Sequence, residues 1–168
     1  MHLLKIMQLS LFSDYALRAL IYLAVREEED GPAEISGLAE AYGISRNHLV
    51  KVIHRLGQLG FIETRRGRSG GIRLILDPAE IRLGEVVRAT EPRAPLLPCL
   101  SASAKPADGP PDCRIKPICR LRGVLRDANE AFFASLDQKT LADVIEPRTA
   151  LRALLLGVSP AGKSIVVY

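Results

Sequence analysis

Three cysteines, Cys99, Cys113 and Cys119, are the only ones in the 168-residue chain, and they share one stretch rich in proline. Thiolates are soft ligands that suit iron-sulfur clusters and zinc, and a loop converges several of them on one centre at little backbone cost. An odd number cannot be fully paired within one chain, and no signal peptide precedes the first helical segment, so a disulfide framework in an oxidising compartment is not expected. Unliganded cysteines would more often be scattered through apolar elements than gathered beside Pro98, Pro110, Pro111 and Pro117. Structural zinc usually shows a tight knuckle of two to four intervening residues, whereas thirteen and five residues separate these cysteines and no histidine lies near them. Zinc stays open on spacing alone, with the balance toward iron-sulfur.

The second constellation is charge. From Ser45 to Arg73 the cations are Arg46, Lys51, Arg55, Arg65, Arg66, Arg68 and Arg73, against Glu63 alone, a net +6 in a chain whose total is +4. One segment that outweighs the whole chain is the electrostatic footprint of a phosphate-binding face.

The elements that must position these groups follow from periodicity. Leu11 to Arg26 is apolar nearly all round, the pattern of a central buried helix. Ile35 to Ala41 predicts a short helix that Tyr42-Gly43-Ile44 breaks. Ser45 is placed to cap a helix running to about Leu59, with Leu49, Val52, Ile53, Leu56 and Leu59 inward. This is a helix-turn-helix pattern, and Asn47, Lys51, His54, Arg55 and Gln58 share the outward face of its second helix. Such a face suits reading of the major groove, although any core helix also presents a solvated polar side. Phe61 to Thr64 and Ile72 to Leu76 read as strands joined by Arg65-Arg66-Gly67-Arg68-Ser69-Gly70-Gly71, a basic glycine-rich hairpin tip whose backbone can approach a sugar-phosphate surface. Helix-turn-helix plus basic hairpin predicts a winged helix, mainly α with a small β wing.

Beyond the wing, Arg82 to Ala89 predicts a short helix. Seven of the eleven prolines lie between Pro92 and Pro117, too many for a regular element. Past Pro117, Ile118, Leu121, Leu125, Ala128 and Phe132 recur at intervals of three and four, a heptad-like seam that suits a partner helix or the chain's own core equally. The expected organisation is a DNA-binding unit over residues 7–90, a cysteine-bearing loop over 91–117, a dimerisation helix region over 118–146 and a tail over 147–168, within which 149–156 has helical character but no assigned role. No apolar run is long enough to span a bilayer, and a cytoplasmic protein is expected. No nucleophile, base and orienter signature suggests an enzyme.

The run Phe12-Ser13-Asp14-Tyr15-Ala16-Leu17-Arg18, then Ile44 through Val52, Arg66 through Leu74 and Leu83-Gly84-Glu85-Val86-Val87 resembles the Rrf-two family of winged-helix regulators, over about residues 7 to 145. Asn47-His48-Leu49-Val50-Lys51-Val52 and Cys113 through Leu121 most resemble its nitric-oxide-sensing branch. Arg122 stands where the IscR branch places a histidine ligand, and the interval after Cys99 is longer than the family's, through an insertion at Ser101 to Gly109. The resemblance implies a homodimeric repressor of palindromic double-stranded operator DNA that releases it when nitric oxide attacks an iron-sulfur cluster, 4Fe-4S favoured and 2Fe-2S possible. It implies cluster ligation by Cys99, Cys113, Cys119 and, across the dimer, Asp14, a position that the residues alone explain as a helix N-cap, a role Ser13 would fill equally well. It implies DNA contacts from Ser45, Arg46, Asn47, His48, Lys51, Arg55, Arg65, Arg66, Arg68, Gly70 and Gly71. Two other readings remain at this level: an iron- or redox-responsive regulator like RirA, and an electron-transfer or metal-trafficking module whose basic face meets an acidic protein.

Overall fold

Helix α1 (Leu11–Ala24) is the hub of the structure, a computed structural model that describes residues 9–65, 67, 70–91, 114–115 and 118–158. Seven of its fourteen residues are buried, among them Ala16, Ala19, Leu20 and Leu23, as an all-round apolar sequence requires. Its cap is Ser10, whose hydroxyl accepts from the backbone N–H of Ser13 at 3.2 Å. Neither Ser13 nor Asp14 caps the helix. Ser13 is buried and bonds the hydroxyl of Thr90 at 2.8 Å, and Asp14 lies a full turn inside.

Around α1 are a 3-10 turn (Glu28–Asp30), α2 (Ile35–Tyr42), α3 (Arg46–Gln58), strands β1 (Ile62–Arg65) and β2 (Gly71–Leu74), α4 (Leu83–Thr90), α5 (Arg120–Asp137), α6 (Leu141–Val144) and α7 (Arg148–Leu156). The turn between α2 and α3 is set by Gly43, whose φ of +62° is left-handed and costs glycine little. The backbone N–H groups of Gly43 and Ile44 then donate to the carbonyls of Glu40 and Ala39, closing α2 and swinging α3 away. Leu49, Val52, Ile53 and Leu56 of α3 are buried against α1, so the predicted inward face is the observed one.

β1 and β2 pair antiparallel with Ile62 opposite Leu74 and Arg65 opposite Gly71. A third partner, absent from the sequence reading, is Ala33, which exchanges two backbone hydrogen bonds with Ile72 at 2.8 and 3.2 Å. This explains Gly71. A Cβ there would stand 2.6 Å from Pro32 Cβ and 2.7 Å from the Ala33 carbonyl oxygen, so only glycine lets the hairpin close on the segment before α2.

The winged-helix class is therefore observed, with a mainly helical body and one two-stranded wing. The helical character expected at 149–156 within the tail is observed, and the role left unassigned there is one of packing. Residues 148–156 form α7, which packs Leu151, Leu155 and Leu156 on the core. The Arg152 guanidinium, 13% exposed, binds the Val25 carbonyl at 2.8 Å and both Asp30 oxygens at 2.7 and 3.1 Å, while Arg148 donates to the Arg26 carbonyl at 2.8 Å. These two cations close the C-terminal end of α1, whose last turn contains no basic residue of its own. Burial alone would raise the Asp30 carboxyl, but Arg152, the Glu27 backbone N–H and Arg26 together hold it below the ordinary carboxylate value. No described helix is long and apolar enough to cross a membrane.

Candidate nucleic-acid interface and cysteine-bearing helix

α3 presents Ser45, Arg46, Asn47, His48, Lys51, His54 and Arg55 as exposed residues on the side away from its buried Leu49–Leu56 stripe. Ser45 occupies the N-cap position, but its side chain makes no capping bond. Its carbonyl accepts from His48 N–H at 3.0 Å and Leu49 N–H at 3.2 Å. The residue expected to close the helix with its hydroxyl is exposed and does so only through its backbone.

Arg46 and Arg65 line one cleft of about 290 Å³, together with Ser36, Thr64 and Gly71, where the first turn of α3 meets the wing and the start of α2. Two cations flanking a groove form an electrostatic cradle for a phosphate backbone. Arg65 also pairs with Glu63 at 3.1 Å on the exposed strand, a contact worth little in water and readily exchanged for a phosphate. Arg55 lies in the second half of α3, where it donates to the Ala89 carbonyl at 3.3 Å, so it ties α3 to the end of α4 as well as presenting charge. Gly70 donates its N–H to the Gly67 carbonyl at 2.9 Å in the wing tip. Gly71 has the packing role described above. Arg66 and Arg68 lie outside the described residues.

Cys119 is the N-cap residue of α5, half-buried and without a side-chain hydrogen bond to the helix. Negative charge on a ligand set at that position faces the unpaired N–H groups of the first turn. Cys99 and Cys113 lie outside the described residues, and among those described no three His, Cys, Asp or Glu side chains converge as a metal site. Asp14 sits in the first turn of α1, where both carboxylate oxygens accept from the Arg18 Nε at 2.9 Å. It is neither buried nor used in the core. A half-buried thiol at a helix start and an exposed carboxylate held by one arginine are donors compatible with the soft and hard positions of an iron-sulfur site.

α5 departs most from an ordinary core helix. None of its eighteen residues is buried, and Ile118 just ahead of it is 83% exposed, Val124 62% and Leu121 58%. Of the two readings of its seam, packing into the chain's own core is not what the structure shows. α5 is held to the body near its C-terminal end: Arg88 chelates the Asp137 carboxylate at 2.6 and 2.5 Å and lies 4.7 Å over the Phe133 ring, and Arg82 donates to the Asp137 carbonyl at 2.8 Å. Arg88 in turn holds the Asp137 carboxyl below its usual range. Gly84 makes the contact possible, since a Cβ there would overlap Asp137 Oδ1.

Several of these features escaped the sequence reading. The docking of Arg148 and Arg152 had a signal in their spacing of four opposite the acidic turn at Glu27–Asp30. The Ser13–Thr90 bond had none, because a serine and a threonine 77 residues apart carry no local pattern.

Comparison with known proteins matches residues 9–147 to the model of Rrf2, described as an iron-dependent transcriptional regulator. The chain is 47% identical over 149 residues to the HTH-type transcriptional regulator NsrR of Geobacillus kaustophilus, covering 89% of this chain and 97% of that one. It is 45% identical over 152 residues to the NsrR of Bacillus subtilis, with the same coverage. Among solved structures, T. potens IscR superposes with a TM-score of 0.64 at 23% identity, covering 87% of this chain and 91% of that one, a likeness of fold. CymR, the global cysteine regulator of B. subtilis, does so with a TM-score of 0.55 at 25% identity over 83% and 96%.

Proposed function

The chain belongs to the Rrf2 family of transcriptional regulators, and on that premise we propose that it is a homodimeric, nitric-oxide-responsive repressor whose DNA affinity depends on an iron-sulfur cluster. Membership in a regulator family removes the ground for an electron-transfer or metal-trafficking module. The observation that carries the proposal is the union of two features in one chain: a winged helix with an exposed basic face, and an unburied apolar helix that starts at Cys119.

Two copies that bury their α5 seams against each other place two α3 helices at a fixed separation, the arrangement that reads a palindromic site. In each half, Arg46, Arg65, Arg66 and Arg68 supply phosphate contacts, and Ser45, Asn47, His48 and Lys51 face base edges. Cys99, Cys113 and Cys119 with Asp14 of the partner subunit would hold the cluster, 4Fe-4S in preference to 2Fe-2S, which when bound supplies an iron open to small ligands such as nitric oxide. A carboxylate is the harder ligand of the four, so an iron held by Asp14 would be the one most open to exchange. Asp14 directly follows Ser13, which fastens α1 to α4, so its capture by a partner would bear directly on the hub helix.

The test is to purify the full chain without oxygen, measure iron and acid-labile sulfide, and titrate nitric oxide while following visible absorbance and operator binding together. Bleaching with parallel loss of DNA affinity is expected, and Cys119→Ser protein is expected to retain little iron. Constant affinity through complete bleaching overturns the coupling. The family's description as iron-dependent favours one second reading, a regulator of iron or redox state like RirA. Release of DNA on iron withdrawal in the absence of nitric oxide distinguishes it.

A further inference from the structure

His48, on the exposed face of α3, is met by the hub helix: the Tyr15 ring of α1 stacks on its imidazole with centroids 6.1 Å apart and planes at 29°. The imidazole is exposed and, among the described residues, has no hydrogen-bond partner, so this contact is what limits its rotamers. Tyr15 itself is half-buried, packed on the core from a helix whose neighbouring Ala16 is fully buried. A tyrosine has only two side-chain torsions to fix, and a ring anchored in this way orders its neighbour at small entropic cost.

The turn of α1 that bears Tyr15 is also bolted at its other side. Ser10 N–H donates to the Glu91 carboxylate at 2.7 Å, and the buried Ser13 hydroxyl pairs with that of Thr90 at 2.8 Å. Thr90 ends α4, immediately before the segment that carries Cys99 and Cys113. One turn on, Arg18 lies 5.4 Å from the centre of the Tyr42 ring at the end of α2. A single stretch of α1 therefore touches the end of α4 and both helices of the helix-turn-helix.

We propose that Tyr15 is a positioning residue for DNA reading, holding the His48 imidazole in its working orientation and referring it to the turn of α1 that Ser10 and Ser13 fasten to α4. This rests on the reading of α3 as the helix that contacts DNA. Tyr15 touches no nucleotide in this role. It lowers the cost of ordering His48 at the interface, so its effect is felt in sequence-specific binding and not in the general attraction between arginines and phosphates.

The experiment uses the full chain with Tyr15→Leu, Tyr15→Phe, His48→Ala and the Tyr15→Leu/His48→Ala pair. The probes are a duplex enriched by the wild-type protein from a random-sequence pool and a scrambled duplex of the same composition, with proton NMR of the His48 ring as an independent readout. Tyr15→Leu is expected to move the imidazole resonances and weaken the enriched duplex about tenfold, with scrambled binding unchanged. Tyr15→Phe, which keeps the ring, is expected to retain both the resonances and the affinity within about twofold, and Tyr15→Leu is expected to add less than about twofold in the His48→Ala background. The proposal is overturned if the two substitutions multiply, if scrambled binding falls equally, or if Tyr15→Phe loses as much as Tyr15→Leu. If the wild-type protein enriches no sequence, the DNA-reading premise falls and the proposal with it, whereas an enriched sequence with multiplicative losses removes the Tyr15 assignment alone.

Discussion

Helices α1 and α5 are both rich in apolar residues, yet seven of the fourteen residues of α1 are buried and none of the eighteen of α5 is. α1 is contacted by α2, α3, α4, α6 and the wing, and its apolar residues are spread round the helix because most of its sides have a neighbour, the exposed Asp14–Arg18 pair marking the open one. α5 has an apolar seam with a polar remainder, and among the described residues it is fastened to the body near its C-terminal end, where Asp137 meets Arg82, Arg88 and Gly84 and Phe133 lies under Arg88. The contrast separates two uses of the hydrophobic effect. One helix folds the chain, and the other leaves its apolar surface outside the core.

The sharpest way to break this contrast is to exchange deletions between the two helices. Leu20→Ala, in the fully buried centre of α1, is expected to cost about 2–5 kcal/mol in denaturant unfolding, whereas Leu121→Ala in α5 leaves the unfolding of the body unchanged and weakens self-association by sedimentation. Equal losses of body stability would mean that α5 belongs to the same cooperative core. Next in size, Gly84→Ala forces the Asp137 side chain off its seat and is expected to cost about 1–3 kcal/mol, visible as a lower melting temperature and, if α5 hangs from this contact, as a looser dimer.

Arg152→Ala probes the opposite end of the hub and is expected to cost about 1–2 kcal/mol, because it takes the guanidinium from Asp30, leaving it the Glu27 N–H, and removes the donor to the Val25 carbonyl. The pH dependence has a defined sign. Since the folded state holds the Asp30 carboxyl below its ordinary value of 3.8, its contribution is fully present above that value and is lost as the pH falls through the lower folded value. An acid titration of melting temperature should therefore converge for wild type and Arg152→Ala at low pH, and parallel curves would remove the ion pair from the account. The smallest effect is expected at the caps. Ser10→Ala should cost about 1 kcal/mol and Ser45→Ala at most a few tenths, because only Ser10 makes the capping bond. A Ser45→Ala variant that is stable but binds DNA less well would assign the serine to the interface.

The winged-helix body was legible because its signals are local and mutually consistent. Gly43 between two periodic helices, the buried stripe of Leu49, Val52, Ile53 and Leu56, and two short strands around a basic tip each follow from spacing alone. The cap of α1 was misread since Ser10, Ser13 and Asp14 are all suitable types, and the choice among them rests on Thr90 and Glu91, some eighty residues away. The glycines of the wing were read as making room for a sugar-phosphate surface, while Gly71 makes room for Pro32 and Ala33. The helical character of α7 was legible but its role was not, because its docking depends on carbonyls at the far end of another helix.

What the sequence by itself determined is the set of elements and the chemistry that they carry: three thiols near the start of one helix, a basic stripe on another, and an apolar seam without charge. Residue type and periodicity are properties of neighbours along the chain, so they are readable there. What only the tertiary structure decided is which of those surfaces meets which: that Tyr15 reaches His48, that Ser13 reaches Thr90, that Arg152 closes α1, and that the seam of α5 stays outside the core. These are contacts between residues up to 127 positions apart, and their partners are chosen by the packing of the whole hub, which no local pattern encodes.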